Sequence, residues 1–532
     1  MVSLAVMHDG AFTRRSLLAG AAAAAAGGLL RPGGALAALA GAPRVRMAER
    51  WVGALPAGAV RTIELSGSAD LVGAQWLAPA HTHLRLRFRG PGGAWSPWVS
   101  AGDHGHGPDA PAAGAAQVGD PVWTGGTRAL QLQAAHSVAG LRLHLVDVSD
   151  GAGARLSAAS AASQHSARAA GLALAAPLLP AGPGAPPIIA RRAWAQQQAH
   201  PAVAPEYGAV RMAFVHHTEN PNGYAAAEVP AMLRAIYGFH RFVNGWNDIG
   251  YNFVIDAYGR IFEARAGGVE EPVVGAHAGG YNAYSTGVAV LGSFMTEQIP
   301  AVAHTALERL LAWKLSIHGV PAQGRVTVKV TAGGARYSKY PANARVSLPR
   351  IAGHRDGDST DCPGDALYAQ LPGVRPRVSR LAARPARLTL ALAPAPAVSP
   401  APGSTPSAPE APASTPVASG RSLAGTLAFL DGTPIAGVSV AVQSRTVSRR
   451  GEAVLESTIG EALTDAQGAW TLPAAFAPAR RGGVGLRALF AGAPTLPATI
   501  SEPLQLLAVP PLSPAPAPAP APTPSAPAPP AP

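Results

Sequence analysis

Hydrophobic and polar positions alternate in three separate stretches of the chain, and each stretch keeps its own period. In THLRLRFRG (82–90), ALQLQAAH (129–136) and GLRLHLVDV (140–148) an apolar residue recurs at every second position. Period two marks a strand with one buried face. Turn signals such as GPGG (90–93) separate these runs, so the pattern predicts an antiparallel β-sandwich over 41–150. The middle stretch mixes periods. RMAFVHHTEN (211–220) reads as a buried strand ending in two histidines. In VPAMLRAIYGFHRFV (229–243), Met232, Ile236, Phe239 and Val243 fall at helical spacing, and HTALERLLAWKLSIHGV (304–320) reads as a second amphipathic helix. DIGYNFVIDAYGRIFEAR (248–265) holds two strands joined by a turn at Asp256 to Gly259. GAHAGGYNAYSTGVAVLGSF (275–294) runs from a polar loop into a strand at Gly287 to Gly292. Alternating strands and helices predict an α/β domain over 186–380, a mixed central sheet with flanking helices. The last stretch, SLAGTLAFLDGTPIAGVSVAVQ (422–443) followed by LTDAQGAWTL (463–472), returns to strands and turns. It predicts a second all-β, sandwich-like domain over 421–508, similar to small Ig-like or carboxypeptidase-regulatory-like modules.

Composition places the linkers between these pieces. The 532 residues include 60 Gly and 53 Pro, and the tracts 151–185, 381–420 and 509–532 are Ala, Pro, Ser and Gly with little periodicity. ALAPAPAVSPAPGSTPSAPEAPASTPVASG (391–420) cannot bury a core, and the expectation is a disordered, extended Pro/Ala linker of about 3.1 Å per residue where it is polyproline II. The formal charge of +12 and pI of about 10.4 would suit an anionic polymer or surface as partner, although the 42 Lys and Arg are spread along the chain, and an Arg- and Ala-biased composition is the better account of them. No basic block is interleaved with aromatics, which argues against nucleic acid. Trp76, Trp95, Trp98 and Trp123 offer aromatic surface that would suit a carbohydrate, although packing is the commoner use of such residues.

The first 40 residues set an expected compartment. FTRRSLLAG (12–20) resembles a twin-arginine export signal, and the apolar run Leu17 to Leu30 follows it. That run is shorter than the roughly 20 residues that span a bilayer. Ala38-Leu39-Ala40 supplies a cleavage signature. The reading is a signal peptide over 1–40, export to the envelope or beyond, and no transmembrane segment once it is cleaved.

A single cysteine, Cys362, lies in IAGHRDGDSTDCPG (351–364), eight positions after His354. One cysteine forms no intrachain disulfide, and a polar turn sequence is no place for an inert core thiol. Five stretches in order, IIARRAWA, VHHT, GFHRFVNGWNDIGYNFVID, GAHAGGYNAYSTGVAVLGSF and GHRDGDSTDCPG, resemble the peptidoglycan recognition protein family, whose fold is that of the type 2 N-acetylmuramoyl-L-alanine amidases. The resemblance covers roughly 190 residues.

What the resemblance implies is a zinc-dependent hydrolase acting on the amide between N-acetylmuramic acid and L-alanine of peptidoglycan. A catalytic zinc needs three protein ligands and an open position, and with one cysteine a four-Cys structural site is excluded. Adjacent strand residues face opposite ways, so one of His216 and His217 faces the metal. The family pattern assigns His216, His354 and Cys362 to Zn2+. It assigns Tyr251 and Thr360 to the oxyanion, and His277, Tyr281 and Asn282 to a loop bordering the substrate groove. Related amidases that carry a Glu in the strand here reading GVAVLG have a base that this chain lacks, since Ala289 and its neighbours offer no carboxylate. The alternative is a protein that only binds peptidoglycan. Family members of that kind typically lack the cysteine ligand, and Cys362 is present.

Overall fold

The first domain is a sheet that changes partners along one strand. The computed structural model describes residues 45–77, 83–90, 92–102, 117–148, 184–196, 198–382, 384–394, 421–447, 454–473, 484–493, 496 and 498–506. Residues 1–44, where the expected export signal falls, the tract 149–183, residues 395–420 and residues 507–532 lie outside these. Seven strands form the first sheet: β1 (Arg46–Leu55), β2 (Val60–Trp76), β3 (Leu84–Phe88), β4 (Val99–Ser100), β5 (Gln117–Val118), β6 (Val122–Ala134) and β7 (Val138–Asp147). Their order is β1-β7-β2-β6-β3-β4, with β5 beside β2. Strand β2 shifts register between Glu64 and Leu71; its first part pairs with β6 and its last part with β7. One connected sheet thereby encloses Leu55, Val72, Trp76, Leu86, Leu132 and Leu143, of which Leu86, Leu132 and Leu143 are the ones that the period-two runs point inward. Trp76 is fully buried, while Trp95 and Trp98 are half-buried against Arg85, Arg87 and Arg89.

The middle domain is α/β. Its elements are β8 (Ile188–Ile189), α1 (Arg192–Ala195), β9 (Met212–His217), α2 (Val229–Gly238), β10 (Phe253–Ile255), β11 (Ile261–Glu263), β12 (Ser285–Val290), α3 (Ala301–Ile317), β13 (Arg325–Lys329), β14 (Arg345–Pro349), β15 (Ile351–Gly353) and α4 (Asp365–Leu381). The central sheet runs β15-β9-β12-β10-β11-β8. It is mixed, because only β10 and β11 pair antiparallel. Every residue of β9 and β12 is buried, as expected of parallel strands covered on both faces. Strand parity sorts the side chains. Ala213, Val215, Val288 and Val290 join Leu307, Leu311, Leu371 and Val374 of α3 and α4. Val254, Phe262 and Ala289 join Met232, Leu233 and Ile236 of α2. Helix α3 starts just after Pro300, whose backbone is not helical, and covers the expected amphipathic run. Helix α2 is extended by a π-turn, Phe239–Val243.

The last domain is a two-sheet sandwich. One sheet holds β16 (Ala386–Leu388), β17 (Ala391–Pro394), β18 (Arg421–Phe429) and β21 (Ala469–Pro473). The other holds β19 (Ser439–Val447), β20 (Val454–Leu463), β22 (Val484–Phe490), β23 (Thr499–Ile500) and β24 (Leu504–Leu506). Leu388, Leu427, Val442, Trp470 and Leu486 form its core. Residues 386–394, assigned by composition to the linker 381–420, are therefore strands that pair with β18. The Leu388, Leu390, Leu392 alternation is a strand pattern that the surrounding Ala and Pro outweighed.

Both β domains are packed onto the middle one. The Phe239 ring lies where a Cβ on Gly73 would come within 2.0 Å of it, so β2 can sit this close to the helix only with glycine there. Leu71, Val146 and Val148 share a buried cluster with Val229, Met232 and Phe239. On the other side, Arg487 of β22 bonds Glu270 at 2.9 Å and Glu271 at 2.6 Å, and Ile500 enters the α3/α4 core. No helix among the described residues is long and apolar enough to cross a membrane.

Candidate metal centre

Two segments far apart in sequence, the end of β9 and the loop after β15, meet at one end of the central sheet. Strand β9 ends in His216-His217. Parity sends Val215 toward α3 and α4 and therefore turns His216 to the opposite face. His217 stays on the α3/α4 side. There its Nε2 lies 2.8 Å from Glu219 Oε1, and its Nδ1 accepts from the Phe294 N–H. Strand β15 ends at Gly353, and a short 3-10 turn, His354–Asp356, follows. The loop then folds back: Arg355 N–H donates to the Cys362 carbonyl, and Cys362 N–H donates to Thr360 Oγ1 at 3.0 Å. Asp356 closes the turn by accepting from Gly353 N–H.

This geometry brings His216, His354 and Cys362 together. Their donor atoms lie within 4.8 Å of one another and all three residues are buried. Cys362 Sγ is 3.7 Å from His216 Nδ1 and accepts the His217 N–H at 3.4 Å. The other nitrogen of each imidazole is already committed. His216 Nε2 meets His277 Nδ1 at 3.1 Å, and His354 Nε2 meets Asp358 Oδ2 at 2.9 Å. Nδ1 is thus the nitrogen each ring has to offer to a common centre. Two imidazoles and one thiol, oriented by buried hydrogen-bond partners, are a donor set that fits zinc with a fourth position for water or substrate.

Burial sets the electrostatics. It drives the Cys362 thiol well above its usual pKa; the His217 N–H opposes that shift, while Asp120 and Glu219 add to it. A bound cation reverses this logic, because it deprotonates the thiol that it ligates. Tyr251 is nearly buried, with its ring 5.5 Å from that of His216. Burial, then the charges of Asp120, Cys362 and Glu219, hold its phenol well above the usual pKa. Tyr251 is therefore a hydrogen-bond donor at neutral pH. Burial, with Arg265 nearby, brings His277 down to about 3, so it is neutral and its Nδ1 can accept a hydrogen bond from the His216 Nε2–H.

The remaining expected residues are placed differently. Thr360 is half-buried and fixed against Cys362 N–H, with its hydroxyl proton left to donate. His277, Tyr281 and Asn282 do not border a groove: their exposures are 0%, 0% and 1%. Asn282 Oδ1 accepts from the His277 and Ala278 N–H groups, and the Tyr281 hydroxyl meets Ser338 and the Gly357 carbonyl. These residues tie the 276–282 loop to the metal centre from within. Sequence order showed that the loop belongs near the site, but not that it folds under it. Ala289 pairs with His216 across the sheet, so no carboxylate stands there. Two residues went unnoticed in the sequence. Asp358 lies four positions after His354 in the same loop, a spacing that could have flagged it as the histidine's partner. Asp120 comes from the first domain, where nothing local marks it.

Comparison with known proteins follows the same division. Residues 206–365 match the family model described as N-acetylmuramoyl-L-alanine amidase, and residues 39–169 match one described as Rv3811 N-terminal galactose-binding domain-like. The chain is 30% identical over 159 residues to peptidoglycan-recognition protein SC2 of Drosophila simulans, covering 30% of this chain and 71% of that protein. It is 30% identical over 208 residues to an N-acetylmuramoyl-L-alanine amidase of Sus scrofa, covering 37% of this chain and 30% of that protein. The solved structure of peptidoglycan recognition protein-LE with tracheal cytotoxin is 28% identical, with a TM-score of 0.28, covering 35% of this chain and 92% of that one.

Proposed function

The chain belongs to the family of peptidoglycan-recognition proteins and type 2 N-acetylmuramoyl-L-alanine amidases, and on that premise we propose that it is a zinc-dependent amidase. The bond cut is the amide between N-acetylmuramic acid and L-alanine in peptidoglycan. The observation that carries this reading is Cys362 completing a buried His/His/Cys donor set with His216 and His354. Zinc held there supplies Lewis acidity and acidifies water toward pKa about 7.

The chain's own residues do the rest. His277 and Asp358 hold the two ligand rings in the tautomer that presents Nδ1. The Tyr251 phenol, kept protonated by burial, donates to the oxyanion that forms on the attacked carbonyl. Thr360 supplies a second, uncharged donor from the loop that carries Cys362. The run FTRRSLLAG supports export, which would place the enzyme where its substrate lies.

The test uses the purified full chain, measuring zinc content and stem-peptide release from peptidoglycan for wild type and Cys362→Ser. Stoichiometric zinc and release in the wild type, both lost in the variant, support the enzyme. Peptidoglycan binding by a wild type that holds no zinc and releases nothing would leave recognition as the function.

A further inference from the structure

The first domain docks on the middle one through residues of β2 and β7, and the β3/β4 edge of its sheet carries a separate surface. Along β3, Leu84 and Leu86 are buried in the core, so Arg85, Arg87 and Arg89 share the outer face. Gly93 N–H donates to the Gly90 carbonyl, and the chain returns beside β3 with Trp95 opposite Arg89 and Ser100 opposite Arg85. That return threads two indoles between three guanidiniums. From guanidinium carbon to ring centre, Trp98 lies 5.2 Å from Arg85 and 4.8 Å from Arg87. Trp95 lies 5.5 Å from Arg87 and 4.9 Å from Arg89. The order along the edge is Arg85, Trp98, Arg87, Trp95, Arg89. Strand spacing makes this ladder about 13 Å long from its first arginine to its last.

Neutral groups, not carboxylates, hold these arginines. On its other side β3 pairs with β6, where Gln133 Oε1 accepts from Arg85 Nε at 2.9 Å and Gln131 Oε1 accepts from Arg87 Nε at 2.7 Å. The Gln131 amide in turn donates to Thr62 Oγ1 at 3.0 Å. Among the described residues no carboxylate forms an ion pair with the three arginines, whereas Arg46 and Arg142 at the β1/β7 edge are paired with Asp147 and Glu49. An Arg-biased composition scatters cations. It does not set three in line, space them with indoles and leave their charge unbalanced. Guanidinium forks match carboxylates in geometry and charge. Indole offers an apolar body with a polar tip, and the amides of Gln131 and Gln133 suit hydroxyls. We propose that this edge binds an acidic polysaccharide, a glycan chain that carries carboxylates. The half-buried indoles, each flanked by two guanidiniums, form no open platform on which nucleobases could stack. The inference goes beyond the amidase reading and uses no residue of the metal centre.

The experiment measures binding of the full chain, without added zinc, to polygalacturonate by titration calorimetry. Neutral dextran, inorganic polyphosphate and a single-stranded oligonucleotide are the comparison ligands. The wild type should bind polygalacturonate more tightly than all three. Arg87→Gln, at the centre of the ladder, should weaken binding about tenfold, and Trp98→Ala by a similar factor. Arg46→Gln, in the same domain but outside the ladder, should leave it unchanged. Thermal midpoints check that the variants fold; where Trp98→Ala lowers its own, the exposed pair Arg85→Gln and Arg89→Gln carries the test instead. Wild-type binding in the ladder variants, or no binding of polygalacturonate by the wild type, overturns the proposal. Dextran, polyphosphate or the oligonucleotide bound as tightly as polygalacturonate overturns it too. A chain that binds polygalacturonate in this way but holds no zinc would fail the amidase reading alone.

Discussion

The Tyr251 ring stands 5.5 Å from the ring of His216, and both are buried. That relationship ties the tyrosine to the metal centre and not to the hydrophobic core alone. Tyr251→Phe keeps the ring packing and removes only the hydroxyl. We expect kcat for stem-peptide release to fall about 10²- to 10³-fold, with KM and zinc content nearly unchanged. A loss confined to KM would show that the hydroxyl binds substrate and does not serve the transition state.

His240 lies under the same tyrosine. Gly250 N–H donates to its Nδ1 at 3.1 Å, which requires that nitrogen to be unprotonated. Burial, with a smaller push from Arg265, lowers its pKa from 6.5 to about 3. Between those values the unfolded chain takes up a proton that the folded one refuses. The stability His240 contributes is therefore complete above pH 6.5 and is lost as pH falls toward 3. Unfolding free energies from urea titrations between pH 7 and 4 should fall more steeply for wild type than for His240→Gln, by up to about 1.4 kcal/mol per pH unit. Parallel pH profiles would contradict the assignment.

Arg487 is the buried link to the last domain. It serves Glu270 and Glu271 at once, and Arg487 and Glu271 are each 3% exposed at the side chain. Lys314 holds the same loop by donating to the carbonyls of Val269, Glu270 and Glu271. Arg487→Met removes the guanidinium that Glu270 and Glu271 share. The expected cost is about 3–5 kcal/mol by chemical denaturation. The triple variant with Glu270→Gln and Glu271→Gln should recover most of it, and a variant that costs nothing would show the link to be idle.

Much of this molecule could be read from residue order, and the parts that could not share a cause. The strand and helix periods of 211–320 match what forms, because parity and helical spacing follow directly from which side chains must be buried. The segments bearing His216, His354, Cys362 and Tyr251 were marked by their motifs, and the fold brings them into one place. Burial depth was not legible. The 275–282 loop looks polar in sequence, yet His277, Tyr281 and Asn282 are buried, with His277 Nδ1 on His216, Asn282 Oδ1 on the loop's own N–H groups and the Tyr281 hydroxyl on Ser338. The docking of the first domain was not legible either, since it puts Gly73 against Phe239, a contact between residues 166 positions apart. At 386–394, composition suppressed a strand pattern that tertiary pairing with β18 reveals.

That pairing also changes what the Ala-Pro-rich stretch after it does. Pro394 and Arg421 are cross-strand partners, so the chain leaves the sandwich and re-enters it at the same point. Residues 395–420 therefore start and finish on one domain and do not join two. The spacing from the metal centre to the last domain is set instead by the few residues joining α4 to β16 and by the Arg487 anchor. A change in the number of residues between Pro394 and Arg421 leaves that spacing unaltered.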